Sequence, residues 1–351
     1  MNMILKTIVF LIGIGLILGT LQSAISTFIL PRNARSLLNR VLFSFLRKIF
    51  EKVMFFAKTF ERKESIFAYY APIGLLLLIP SWYALMTLGY AAVYWALGVG
   101  DLFASIRLSG SSLLTLGFAT SENIIIMLLI FSEATLGLML VALLIAYLPT
   151  MYAAFSRREE FVNLLEVRAG TPPSSVEMLL RHQRIHGIER MDDYWQSWET
   201  WFAQTEESHS TLAALVFFRS PRSDQSWITA AGTILDAAAL RLAALDLPPS
   251  PEAMLCIRAG FLAFRHIADS FGITYPPDPQ FPATPISITQ DEFNAVLETL
   301  AEAGIALKED REQAWKDFAG WRVNYDHTLL ALCDLVMAPP AFWSSSIKTS
   351  D

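Results

Sequence analysis

The sequence predicts an all-α membrane protein with a helical soluble part. Three observations carry this expectation. Hydrophobic residues make up 54% of the 351 positions and charged residues only 17%, against about 25% charged in an ordinary soluble chain. The apolar residues gather in three long stretches, all before residue 156. The remainder shows helical spacing and no long β-branched alternation, which argues against a sheet.

The first stretch, residues 8–30, carries no formal charge, and neither does the second, residues 67–100. The third, residues 124–155, carries Glu133 alone. A hydrocarbon core about 30 Å thick needs about 20 apolar helical residues, so each stretch is long enough to span it. The chain then divides into residues 1–66, a transmembrane helix followed by a basic amphipathic helix; residues 67–155, two spanning helices and the segment between them; and residues 156–351, a helical cytoplasmic domain. Lys6 followed by the apolar run and Gln22-Ser23-Ala24 also fits a signal peptide. The run, however, is longer than the usual h-region of about 7–15 residues.

Basic residues set the expected orientation. Residues 31–65 carry Arg32, Arg35, Arg40, Arg47, Lys48, Lys52, Lys58, Arg62 and Lys63 against Glu51, Glu61 and Glu64. A short loop with that excess stays cytoplasmic. Arg157 and Arg158 follow the third stretch, whereas only Asp101, Arg107 and Glu122 are charged between the second and third. The expectation is a multi-pass protein of the inner (plasma) membrane, with its N-terminus outside and its C-terminal domain in the cytoplasm. Within residues 36–60, Leu38, Leu42, Phe45, Leu46, Ile49, Val53 and Phe56 recur at helical spacing. This segment is read either as a helix on the inner leaflet or as one packed on its own soluble domain.

In the soluble part, Ser174/Glu177 and Thr289/Glu292 have capping-box spacing. Gly170-Thr-Pro-Pro is a helix stop, and residues 247–251 and 276–285 are proline-rich loops. Trp195, Trp198 and Trp201 recur every three residues, as a core stripe does. The net charge of −6 argues against a nucleic-acid binder. Cys256 and Cys333 form no CxxC pattern and read as reduced thiols. His182 and His186 share a helical face but lack the other residues of a metal motif, so no metal site is expected. No P-loop, GxSxG or Rossmann fingerprint occurs, and no enzyme activity is expected. Arg219 and Arg222 flank Pro221 and read as a surface loop or an anion site.

Residues 101–121 are too apolar for an exposed loop. A half-helix starting near Asp101, whose carboxylate suits the positive end of the dipole, would run to about Leu114. It is followed by Thr115, Leu116, Gly117, Phe118 and Ala119. Non-helical backbone at membrane depth is tolerated only where protein buries it or where it lines an aqueous path.

Helix, half-helix, Thr-x-Gly-aromatic, helix resembles the pore module of the bacterial potassium channel family. Glu133-Ala-Thr-Leu-Gly137 resembles the Glu-x-x-x-Gly of the inner helices of two-helix channels. The likeness covers residues 67–155. It implies a helix–pore loop–helix module with a selectivity filter of stacked carbonyls at Thr115, Leu116, Gly117, Phe118 and Ala119. It also implies a homotetramer in membrane lipid and potassium as the permeant ion, with no further cofactor. Ala119 stands where the filter pattern has its second glycine, and a left-handed backbone there costs about 1–2 kcal/mol. The outermost ion site is therefore expected to be distorted.

On this reading Glu133 either accepts hydrogen bonds from Ser111 or Ser112 and braces the filter, or faces the pore as a cation site. Gly137 is a hinge or a close helix contact. Tyr147 and Pro149 mark a gate or the membrane exit. Trp82, Tyr83, Tyr90, Tyr94 and Trp95 read as packing residues and an interfacial aromatic belt, with Tyr94 and Trp95 near the outer surface. The alternative function is a non-conducting membrane receptor or scaffold whose helical domain binds a ligand or partner. The orientation is tested by labelling intact cells: Met3→Cys should react from outside and Ser345→Cys only after lysis. Labelling of Ser345→Cys in intact cells would reverse it.

Overall fold

The structure, a computed structural model, describes residues 3–28, 37–57, 59–185 and 187–344. Arg32, Arg35, Lys58 and His186 lie outside the described residues. Among the described residues the regular structure is helical, with one isolated antiparallel bridge between Leu245 and Leu307. The chain parts into two compact units, Met1–Ala153 and Ala154–Asp351. Three helices are long and apolar enough to cross a membrane: Met3–Phe28, Arg62–Leu97 and Ile124–Ala169.

The first unit contains α1 (Met3–Phe28), α2 (Leu37–Phe55), α3 (Phe60–Phe67), α4 (Tyr70–Leu97), α5 (Leu102–Leu113) and the first part of α6 (Ile124–Ala169). Helices α1 and α4 meet through glycines. A Cβ on Gly13 would lie 2.7 Å from the Gly89 carbonyl oxygen, so only glycine permits this approach, as is common where small residues join membrane helices. The Trp82 indole N–H donates to the Ser23 hydroxyl at 3.1 Å, and the Asn39 side-chain amide donates to Thr27 Oγ1 at 2.6 Å. These bonds tie α1, α2 and α4 together. The α2 helix buries Leu46, Phe50 and Met54, and the Tyr70 hydroxyl donates to the Phe43 carbonyl at 3.2 Å. It therefore packs on α4 through one face only. Of the row read from the sequence, Leu46 is buried while Phe45, Ile49, Val53 and Phe56 are exposed.

The second unit comprises the rest of α6 with α7 (Ser175–Ile185), α8 (Asp192–Thr211), a 3-10 turn (Ala213–Phe217), α9 (Trp227–Ala243), α10 (Pro251–Phe271), α11 (Gln290–Glu302), α12 (Arg311–Arg322) and α13 (Asp326–Val336). Helix α9 is buried on nearly every side, as a helix apolar all round must be. Trp195, Trp198 and Trp201 are core residues. Thr289 and Glu292 form the full capping box, whereas Ser174 accepts from the Glu177 N–H at 3.4 Å and Glu177 turns to Arg181 at 2.5 Å.

Two buried arginines organise this unit. The Arg322 guanidinium bonds Asp236 of α9, Asp326 at 2.8 Å and the Trp343 carbonyl at 2.6 Å. The Tyr325 hydroxyl adds a bond to Asp236 at 2.8 Å. Burial pushes the Asp236 carboxyl up to about 6 against the pull of Arg322. Burial also works against the charge on Arg322, but Asp236 and Asp326 more than offset it and raise its pKa. Arg158, on α6, reaches Glu159 at 2.8 Å and the Leu215 and Phe218 carbonyls at 3.0 and 2.7 Å. His209 Nδ1 faces the Thr205 carbonyl at 2.8 Å, so it carries the proton, and Nε2 accepts from Arg158 at 3.1 Å. Burial, with Arg158 beside it, holds His209 well below its ordinary pKa.

Arg322→Met should cost the second unit about 3–5 kcal/mol at neutral pH, because Asp236 loses its counter-charge in the core. That loss should shrink toward pH 5. The stranded carboxyl holds a proton in the native state that the unfolded chain has released, so stability rises as pH falls by about 1.4 kcal/mol per unit. Urea unfolding of a fragment covering residues 154–351, followed by circular dichroism from pH 5 to 8, checks both. A loss that does not vary with pH would contradict the assignment.

Candidate functional site

The segment between α4 and α6 is held by backbone hydrogen bonds that its sequence dictates. Helix α4 ends on Gly98, left-handed at φ 88°. Asp101 then caps α5, its side chain accepting from the Ala104 N–H at 2.8 Å. The half-helix closes at Leu113, as expected, and the Thr115 N–H donates to the Ser112 carbonyl at 3.0 Å.

Beyond that turn, three loop N–H groups converge on Ser111. Those of Leu116 and Gly117 donate to its carbonyl at 2.8 and 3.3 Å. That of Ala119 donates to its hydroxyl at 3.0 Å. These peptides are trans, and in a planar trans peptide the preceding carbonyl points opposite to the N–H. The carbonyls of Thr115, Leu116 and Phe118 therefore project away from α5. Thr115 and Gly117 are left-handed, at φ 55° and 72°, and Leu116 between them is not. This alternation gathers successive N–H groups on one edge, as in a backbone nest, here around an oxygen of the protein itself. Leu116 and Phe118 are about 60% exposed, and no atom lies within 4 Å of where a Gly117 side chain would begin. Ala119 departs from the pattern. Its backbone is not left-handed, and its carbonyl lies 3.5 Å from the Ser111 hydroxyl, turned toward α5.

Behind the loop lies Glu133, fully buried. It accepts from the Tyr94 hydroxyl at 2.8 Å and from the Ser109 hydroxyl. The expectation that Ser111 or Ser112 would bond Glu133 is corrected here. Ser111 serves the loop, and the Ser112 hydroxyl donates to the Leu108 carbonyl at 2.8 Å. Of the two readings of Tyr94, packing holds and the aromatic belt does not: it is buried and bonds Glu133. Gly137 makes a close contact: a side chain there would run into the Leu113 carbonyl. Its own carbonyl accepts from the Tyr83 hydroxyl at 2.7 Å. Further along α6, Tyr147 is buried with its ring 4.7 Å from that of Phe28, and α6 runs unbroken through Pro149.

At the Thr115 end of the loop an open pocket of about 480 Å³ is lined by Tyr83, Leu114, Thr115, Leu138, Val141 and Ile145. In the second unit a pocket of about 410 Å³ lies beside Arg157, Thr200, Gln204 and Glu207. Arg222 pairs with Glu166 at 2.7 Å and Asp224 at 3.2 Å. Cys256 and Cys333 are free and buried, and burial pushes both thiols up. No three His, Cys, Asp or Glu side chains form a metal-binding group among the described residues.

Ser109 escaped the sequence reading, although Ser105, Ser109 and Ser112 mark one face of α5 at helical spacing, and so did the hydrogen bonds made by Tyr94 and Tyr83. No family model, curated protein or solved structure matches the chain.

The brace is testable by deletion of single oxygens. Tyr94→Phe and Ser109→Ala should each lower stability by about 1–3 kcal/mol, the usual loss when a buried acceptor is left a donor short. Ser112→Ala should cost less, since its hydroxyl bonds back to the Leu108 carbonyl of its own helix and reaches Glu133 only through Tyr94. Thermal denaturation of the solubilised protein checks this order, and the reverse order would reject Ser109 as the partner.

Proposed function

We propose that the chain is one subunit of a cation channel that conducts potassium through residues 115–119. The observation that carries this reading is the set of Thr115, Leu116 and Phe118 carbonyls turned away from Ser111. Carbonyl oxygens substitute for the water shell of an ion. One chain presents them from one side only, so four copies around an axis complete each ring. Glu133 then acts as the brace behind the filter. Thr115 sets the inner end, and the pocket beneath it opens toward the ion path. The turned Ala119 carbonyl removes the outermost ring, which lowers preference for potassium over sodium. The basic residues before α4 and after the third apolar stretch support a cytoplasmic second unit.

Gly117→Val should abolish potassium flux in liposomes of matched protein content, because valine resists the left-handed backbone at this position. Helical content and the four-chain assembly should persist. Ala119→Gly should hold or raise the potassium-to-sodium flux ratio. Parental flux through Gly117→Val would reject the filter and leave the non-conducting receptor or scaffold in its place.

A further inference from the structure

Helix α2 carries two apolar faces and uses one. Leu46, Phe50 and Met54 are buried in the first unit. A second row, Val41, Phe45, Ile49 and Val53 at four-residue spacing, with Phe56 beyond it, is between 41% and 82% exposed. A soluble protein rarely leaves such a row open. Charge borders it. At 3.6 residues per turn, Lys48 and Lys52 fall along the edge of the row away from Phe50, and Arg40 and Arg47 lie on the polar side. Arg47 pairs with Glu51 at 3.0 Å, while Arg40, Lys48 and Lys52 are exposed.

The position of α2 adds to this. Its first turns are tied to the last turn of α1 through Asn39 and Thr27, and to the start of α4 through Phe43 and Tyr70. Both neighbours are long apolar helices. Where these helices span a bilayer, their adjoining ends would lie at the level where hydrocarbon gives way to headgroups. A helix held at that level, with an apolar row on one side and lysines along its margin, has the layout of an interfacial helix.

We propose that α2 seats Val41, Phe45, Ile49 and Val53 in the acyl boundary of one leaflet, and that Arg40, Lys48 and Lys52 select anionic phospholipid headgroups. This reading stands apart from conduction, and so does its test. The full chain carries a single environment-sensitive fluorophore at Phe45→Cys, Val53→Cys or, as control, Glu51→Cys. It is reconstituted into phosphatidylcholine vesicles with and without phosphatidylglycerol, using lipids brominated on the acyl chain. Labels at positions 45 and 53 should be quenched about two-fold or more when the anionic lipid is present, and the label at 51 should not. Lys48→Gln with Lys52→Gln should return the quenching to its level in phosphatidylcholine alone. Equal quenching in both vesicles would overturn the headgroup selection. Absent quenching, with cross-linking between copies through Ile49→Cys, would overturn the proposal and assign the face to a second copy of the chain.

Discussion

Backbone N–H groups of a chain that leaves a helix need new acceptors, and the loop after α5 meets that constraint through Ser111. The last carbonyls of any helix lack intrahelical partners. Here one of them receives two loop N–H groups, and the hydroxyl of the same residue receives a third. Spare acceptors at the end of α5 thus satisfy spare donors of the chain that follows. The arrangement needs a helix that ends at Leu113, a hydroxyl at position 111 and a residue at 117 that accepts φ near 72°. The exposed carbonyls are a by-product of this satisfaction, because a trans peptide cannot turn its N–H inward without turning its carbonyl outward.

The rest of the first unit holds α5 still. Apolar side chains gain little by leaving lipid for protein, so helices there associate through close approach and polar contacts. Gly13 against Gly89 and Gly137 against Leu113 supply the approach. Glu133, with hydroxyl donors from α4 and α5, supplies the contact. A carboxylate in such a place is costly unless it is bonded. The second unit is held differently. Its stability rests on burying α9 and the tryptophan stripe, and its buried charges come matched, as Arg322 with Asp236 and Asp326.

Much of this was legible in the residues. Three apolar stretches announced the long helices, Asp101 announced the start of α5, and the tryptophan spacing announced a core face. The errors have one physical source. Each residue turns a helix by about 100°, so choosing between Ser109, Ser111 and Ser112 as the partner of Glu133 requires knowing how α5 is rotated against α6. Composition does not record that rotation. Tyr94 poses a related choice: a tyrosine near the end of an apolar helix suits an interface and a buried carboxylate equally well. In α2 the apolar count was read correctly, but which arc α4 covers depends on where Gly74 lets Phe43 approach.

The hand of the backbone explains why the row of carbonyls stops where it does. Left-handed residues at 115 and 117 set an alternation that would next fall on 119. Glycine takes that conformation freely, while any other residue meets a cost of about 1–2 kcal/mol. Thr115 bears the cost with local support: its hydroxyl bonds the Leu114 carbonyl at 2.7 Å and its N–H bonds Ser112 at 3.0 Å. Alanine has no side-chain bond to offer, and the Ala119 N–H is already committed to Ser111. The chain therefore leaves the alternation at Ala119, and the next peptide swings its carbonyl back toward the Ser111 hydroxyl. A single methyl group at position 119 thus decides how many oxygens the loop presents on its open side. The residue that anchors the loop at its near end, Ser111, is also the one that receives it where the pattern fails.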